Sequence, residues 1–485
     1  MSTLGAINGY GVQVPRLRLR REVIATAMAW AGPPARGKAR GSRAIANWDE
    51  DALTMGVEAA RHCGITPATG GSGGSGGIQS LYFCSTTAPF VDRDDAVMLA
   101  GALDLPATVE TLNLGASMRA ATSGLINGLR RTTGCTLVVA SDARLTRPGS
   151  SQEMTYGDAA VAMLVGDPNP DSLATVLAAT GYGSDFVDHY RMSGADFDYA
   201  LEERWIRDEF LLKIIPTAVG EILADAGVGA GSVRHFVMPA GAATAKRVAK
   251  ACGMQAARLD ERVLLQCGDA GVALPLLMLA DALESAQHGE LILVIGVGQG
   301  VDCILLRADR GVTQAAKELT RALAAGRDED SYLRYLSHRN LVDVDFGMRA
   351  ERDQRTAHSV AFRKRGALGA FKGGRCERCG TIQFPQSRVC VNPGCRATDT
   401  QVPHRLADST GRVKSFTEDW QAYAARPPYV YGNVEFAEGG NLLMEFTDVE
   451  TGGVKVNDAV RFVYRIKDED RARGFRRYFW KATVA

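Results

Sequence analysis

The residues best suited to chemistry are four cysteines near the C-terminal end: Cys376, Cys379, Cys390 and Cys395. They form a C-x2-C pair and a C-x4-C pair with ten residues between the pairs. Four thiolates at such spacing suit a tetrahedral Zn2+ ion and leave no position open for a substrate. Gly380, directly after Cys379, permits the tight turn of a zinc knuckle. Zinc is favoured over iron here, in a structural role that holds a small lobe lacking a core of its own. A second stretch, "NLGASMRAATSG" from Asn113 to Gly124, reads as a strand end, a small-residue turn and a helix start. Such an elbow can present a nucleophile at a helix N-terminus. Here the bend offers Ser117 and Met118. A thioether cannot attack an acyl group; a hydroxyl can, but it needs a base, and none is near in sequence.

The chain around these residues has 485 residues, enough for two or three domains. A hydrophobic content of 46% with 23% charged residues is that of a globular protein. The net charge of +1 argues against a broad electrostatic grip on nucleic acid or on an anionic membrane. No apolar run is long enough to span a bilayer, and the first residues lack a charged-then-apolar signal pattern, so a cytoplasmic location is expected. The other six cysteines, Cys63, Cys84, Cys135, Cys252, Cys267 and Cys303, are scattered singly, as buried thiols would be.

Up to about Asp309, short apolar runs ("LYFCSTTAPF", "TLVVASDARL", "DAAVAMLVGD", "VRHFVMPAG", "LILVIGVGQG") alternate with helical-period stretches, which implies an α/β layered domain. "TGGSGGSGG" is a flexible connection without phosphate-loop chemistry. Residues 311–368 read as a charge-rich, amphipathic helical connector. After it, Val-, Phe- and Tyr-rich runs separated by turn residues suggest a small antiparallel barrel.

The C-terminal part resembles the zinc-ribbon and OB-fold modules that accompany acyl-CoA thiolases. The four cysteines, "GTIQFP", "GRVKSFT", "PPYVYGNVEF", "MEFTD" and "RRYFWKA" carry that likeness. The first three hundred residues resemble the thiolase superfamily, closest to hydroxymethylglutaryl-CoA synthases and type III ketoacyl synthases. The carrying motifs are "NWDEDALTMGVEAARHCGI", "FCSTTAPF", "GASMRAATSG", "MTYGDAAVAMLVGD", "GSDFVDHYR", "HFVMPAG", "LLQCGDAG" and "IGVGQGVD". The implied fold is α/β: a thiolase-like five-layered α-β-α-β-α domain (1–310), a helical connector (311–368), a zinc ribbon (369–402) and a small antiparallel OB-fold β-barrel (403–485). The resemblance also implies a homodimer through the thiolase-like domain.

Position by position, the resemblance puts Met118 (Ser117 with a one-residue shift) at the nucleophilic cysteine, Val237 at the catalytic histidine, Asp269 at the asparagine and Thr86 at the general-acid glutamate. All four expected groups are absent. The candidates that remain are Ser117, His189, His235 and Asp269, with Cys84 and Asp158 more simply read as structural and Cys267, beside Asp269 in a Gly-rich loop, read as the more exposed thiol. "GVGQG" resembles the superfamily's glycine-rich loop near the nucleophile, whose amides could donate to an oxyanion. "ARGKARGSR" supplies Arg36, Lys38, Arg40 and Arg43, a candidate clamp for the phosphates of coenzyme A, with a solvated basic loop as the plainer alternative. The expected role is a cysteine-less component of an acyl-CoA thiolase or acyltransferase complex that makes or breaks a C–C bond on a CoA thioester. Its partner would be a separate catalytic thiolase. The alternatives are a stand-alone condensing or retro-aldol enzyme with a non-standard pocket, and, well behind, single-stranded nucleic-acid binding through the OB-fold.

Overall fold

The computed structural model describes residues 4–32, 39–65, 77–131, 134–347 and 357–484. The chain divides into two compact units. One comprises Met1–Ala46, Asp51–Val97 and Leu105–Tyr335; the other comprises Asn47–Glu50, Met98–Asp104 and Leu336–Ala485. Residues 311–335 of the expected connector thus lie within the first unit. Arg327–Glu329 pairs there in parallel with Leu17–Arg20, which in turn pairs antiparallel with Ser42–Ile45.

The first unit contains two successions of elements that share a β-α-β opening and an α-β-β close. The first runs β1 (Ala6–Gln13), α1 (Ala52–His62), β2 (Ile78–Cys84), β3 (Glu110–Leu114), α2 (Ala120–Leu129), β4 (Cys135–Asp142) and β5 (Ala159–Gly166). The second runs β6 (Ala174–Gly183), α3 (Ile214–Ala226), β7 (Val233–Val237), α4 (Ala242–Ala251), α5 (Leu274–Ser285), β8 (Leu291–Val297) and β9 (Gly300–Ala308). Strand order is β3-β2-β4-β5-β1 in one half and β6-β9-β8-β7 in the other, joined through Ala6–Thr175 and Ile7–Ala174. Each half has antiparallel pairs at its centre and parallel pairs outside. Where β3 has no full counterpart, His235 makes a single parallel bridge to Arg258.

Helices α2 and α5 pack on each other and on strands of both halves, α1 covers β1, β5 and β4, and α3 covers β9 and β6. The layers are therefore α-β-α-β-α, as the resemblance to the thiolase superfamily implies. The middle helices must be covered on almost every side: Leu274 to Glu284 of α5 are all buried, as is most of α2. The two acids of α5 are matched, Glu284 accepting from Tyr10 Oη (3.0 Å) and the Leu319 amide (2.7 Å). Local signals set helix ends. Asp51 and Thr54 form a reciprocal capping box on α1, and left-handed Gly227 ends α3. No described helix is long and apolar enough to cross a membrane.

The second unit holds a three-stranded ribbon, β10 (Lys372–Cys376), β11 (Ile382–Gln383) and β12 (Gln401–Arg405), in the order β11-β10-β12. It also holds a five-stranded sheet of β13 (Thr410–Asp419), β14 (Tyr429–Phe436), β15 (Asn441–Glu445), β16 (Ala459–Asp470) and β17 (Phe475–Val484). The order β15-β14-β13-β16-β17, with Phe446 bridging Ala482 in parallel, closes the sheet with OB topology. Phe371 is fully buried among Phe384, Phe436, Phe462, Phe479 and Trp480, with ring centroids 5.3–5.9 Å away.

Asn47–Glu50 is bound into this unit by buried charge. Lys481 Nζ lies 2.9 Å from Asp49 and 3.3 Å from Glu445. Arg465 Nη2 lies 3.0 Å from both Glu50 and Asp448. Burial opposes ionisation of Glu445, but Lys481 and Lys467 outweigh it and hold that carboxyl below its usual range. Burial raises Glu50 from 4.5 to about 7, against the pull of Arg465 and with the push of Asp448. A carboxyl raised in the folded state contributes stability at low pH that is lost as pH rises from 4.5 through about 7. Chemical denaturation at pH 5 and pH 8 should therefore show a loss on the order of 3 kcal/mol or less from this group, and Glu50→Gln should shrink the difference between the two pH values.

Candidate functional site

The elbow begins where β3 stops. The Ser85 amide donates to Leu114 O (3.0 Å), tying the ends of β2 and β3 together. Ala116 has φ of +62°, in the left-handed region that a side chain rarely adopts, and the bend turns the chain into α2. The "GVGQG" loop after β8 packs onto the bend. A Cβ at Gly298 would lie 3.0 Å from the amide nitrogens of Met118 and Arg119 and from Ser117 Oγ, so a side chain there would crowd the bend.

Ser117 Oγ donates to Gly298 O (3.0 Å) and accepts from the Arg119 amide (3.3 Å). Both partners are backbone, so no base is bonded to the hydroxyl. The Met118 side chain is partly buried against the main core. Asp302, on β9, anchors the start of α2. It accepts from Arg119 Nη1 (2.8 Å), Thr122 Oγ1 (2.8 Å) and Ser123 Oγ (2.6 Å).

Beside the elbow, Thr86 donates its amide (2.8 Å) and its hydroxyl (2.9 Å) to Asp142, at the end of β4. Ser85 Oγ, the Thr87 amide and hydroxyl, and the Val272 amide bond to the same carboxylate at 3.0–3.1 Å. Asp142 is fully buried, and its donors come from the loop after β2 and from the short 3-10 turn Gly271–Ala273. It joins the loop after β2 to the loop that carries Asp269. Asp269 is held by Arg144 Nη2 (3.0 Å) and the Gly271 amide (2.9 Å). Arg144 stacks 3.5 Å over Tyr156, whose hydroxyl donates to Asp198 (2.9 Å). Arg191 donates to Thr86 O and lies 3.5 Å from Asp198. His189 Nδ1 is 3.1 Å from Asp188 Oδ1. Burial lowers the His189 pKa, but Asp188 reverses this and leaves it above its usual value.

The structure thus gathers Ser117, Thr86 and Asp269 at the carboxyl ends of the strands, with the His189 hairpin tied to them through Arg191. His235 is elsewhere. It is buried and paired with Glu290 (3.0 Å), just before β8, whereas the elbow meets the other end of β8, roughly 20 Å along a seven-residue strand. Val237 is core. Cys84 and Cys267 are fully buried and their thiols are raised by burial, Cys267 to about 12, so neither is a ready thiolate. Asp158 is buried and accepts from the Ala46 amide (2.7 Å). Of the basic loop, Arg36 and Lys38 lie outside the described residues and Arg40 is exposed. Arg43 is fully buried, donating to Glu153 O (2.9 Å) and Thr146 Oγ1 (3.2 Å), and so is not offered to a phosphate in solvent. Asp142, Arg144, Asp198 and Asp302 were not singled out from sequence. The "SDAR" and "QGVD" strand-end acids were the available signal.

In the ribbon, the four cysteine Sγ atoms all lie within 4.8 Å of one another. Two separations are 3.9 Å (Cys376–Cys395) and 3.5 Å (Cys379–Cys390). A tetrahedron with Zn–S bonds of ~2.3 Å has edges of about 3.8 Å, so the donor set fits that ion. Gly380 takes φ of +75° in the first knuckle. The hydroxyls of Thr381 and Thr400, each 3.2 Å from a sulfur, hold Cys379 and Cys376 below the usual thiol range.

Residues 363–401 match the ChsH2 rubredoxin-like zinc ribbon domain, and residues 404–465 match the ChsH2 C-terminal OB-fold domain. The hydroxymethylglutaryl-CoA synthase of Aeropyrum pernix is 26% identical over 71% of this chain and 93% of its own length. That of Thermococcus gammatolerans is 27% identical over 38% of this chain, which spans about half (51%) of that relative. Among solved structures, MvaS in complex with 3-hydroxy-3-methylglutaryl coenzyme A aligns over 70% of this chain and 93% of its own, at 20% identity and a TM-score of 0.57. The chain is a thiolase-fold protein fused to a ChsH2-type zinc ribbon and OB-fold. In this fusion the elbow is kept while the residues at its bend are bound to backbone or core. Asp302→Ala would strand Arg119 and two hydroxyls beside the helix start. It should cost about 2–4 kcal/mol in urea denaturation, with Asp302→Asn recovering part of the loss.

Proposed function

We propose that this chain is the cysteine-less, thiolase-like and zinc-ribbon/OB component of an acyl-CoA thiolase or acyltransferase complex. It would act with a separate catalytic thiolase that supplies the thiolate for making or breaking a C–C bond on a CoA thioester. One observation carries the reading: the elbow and its glycine loop are kept, yet Ser117 is bonded to a carbonyl, Met118 packs against the core, and among the described residues no ionisable nucleophile takes their place. A pocket frame retained without its nucleophile suits a domain that shapes or shares a coenzyme A site. The resemblance to hydroxymethylglutaryl-CoA synthases supports a CoA thioester as substrate. Exposed Arg40, together with Arg36 and Lys38, is the candidate phosphate contact. The thiolase-like domain would form a homodimer within the larger, cytoplasmic assembly.

Cys376, Cys379, Cys390 and Cys395 would hold a Zn2+ ion with a complete thiolate shell. Bound there, the ion supplies cross-linking of the ribbon and no catalysis. Elemental analysis should find one zinc per chain, and Cys390→Ser should lose it together with the ribbon's resistance to proteolysis.

The functional reading is tested by purifying the chain alone and with a thiolase encoded nearby, then assaying acyl-CoA thiolysis and condensation. No turnover by the lone chain and activity on adding the thiolase is the expected result. Full C–C turnover by the lone chain would overturn the partnership in favour of a stand-alone condensing or retro-aldol enzyme.

A further inference from the structure

The acids nearest the elbow are occupied. Asp142 is surrounded by six donors, Asp269 is paired with Arg144 and capped by the Gly271 amide, and Asp198 takes Tyr156 Oη and two guanidinium groups. His189 differs. Its ring is a quarter exposed, and its Nδ1 faces Asp188 at 3.1 Å. Among the described residues no hydrogen bond is made by its Nε2. Asp188 Oδ1 also accepts from the His189 amide (2.9 Å), and a carboxylate this close to Nδ1 favours the tautomer protonated there, with Nε2 as the acceptor. The hairpin that carries it, His189–Tyr190 paired with Tyr199–Ala200, is bound to the site two residues later, where Arg191 donates to Thr86 O. Thr86 occupies the position that the sequence resemblance assigns to an acid.

We infer that the Asp188–His189 dyad is the proton acceptor of this pocket, removing a proton from the carbon next to the thioester carbonyl of a bound acyl-CoA. In that step the C–H bond breaks and an N–H bond forms at Nε2. The electron pair moves into the thioester as an enolate, and Asp188 stabilises the imidazolium. Returning the proton restores both partners, so no oxidant or co-reactant is consumed. The inference rests on the reading that the pocket takes a CoA thioester. It divides the chemistry: the proton is handled here and the acyl group by the partner's thiolate. The groups that bias His189 are Asp188 beside it and Asp198 and Arg144 across the site; Arg191 on its own hairpin pairs with Asp198.

The test incubates the full chain with acetyl-CoA in D2O and follows deuterium entering the methyl group by mass spectrometry, with acetyl-CoA binding measured by calorimetry on the same samples. The expected result is exchange at least tenfold above the protein-free rate, rising with pH as His189 loses its proton. His189→Gln should bring exchange to background with binding and melting temperature retained. Asp188→Asn should shift the pH midpoint of exchange downward, which loss of structure alone would not do. Binding without exchange, or exchange unchanged in His189→Gln, would overturn the dyad's role and leave the CoA reading standing. Absence of acetyl-CoA binding would overturn both.

Discussion

The mouth of the first unit is built around a carboxylate that is unavailable for chemistry. Asp142 ends β4 in full burial and takes six hydrogen bonds from a loop and a short 3-10 turn. A buried charge is tolerated only when its lone pairs are filled, and here the filling is done by groups that have no other reason to converge. The loop after β2 is drawn inward, the loop carrying Asp269 is drawn to meet it, and the elbow is pinned between them by Ser85. Arg144, two residues further on, extends the same network to Asp269 and Asp198. The electrostatics of the site are thus spent on holding shape, and the unspent group sits on the hairpin outside that ring.

How much of this was legible in the sequence depended on how local the interaction was. The four cysteines were readable because a knuckle is set by spacing within about twenty residues, and the ribbon brings their sulfurs together as a tetrahedral ion requires. The elbow was readable because small residues between a strand and a helix leave few alternatives. His235 shows the limit of strand reasoning: alternation gives the face of β7, not the end of the strand toward which a side chain reaches, and Glu290 decided that. Arg43 was read as part of a basic loop, but it belongs to a strand, and its partners Thr146 and Glu153 are more than a hundred residues away. Asp142 gave no more than a strand-end acid in "SDAR", since its six donors lie 55 to 130 residues distant.

The second unit meets its constraints by different means. Phe371 fills the barrel with one large ring and carries the ribbon's first strand, β10, next to it in sequence. Arg465 and Lys481, both on barrel strands and both buried, need anions, and the barrel provides Glu445 and Asp448. The remaining counter-charges, Asp49 and Glu50, come from a short peptide far away in the chain.

That last feature bears on how the fusion is made and how it could have arisen. A ribosome finishes Asn47–Glu50 some four hundred residues before Lys481 leaves the tunnel, so the barrel cannot reach its final charge balance until a peptide made near the start returns to it. If the halves once were separate chains, this tetrapeptide was then a protein–protein contact, and fusion converted it from an interface governed by concentration into one governed by chain connectivity. A split after Tyr335 would reverse that conversion, leaving an Arg and a Lys in the barrel interior short of two of their anions.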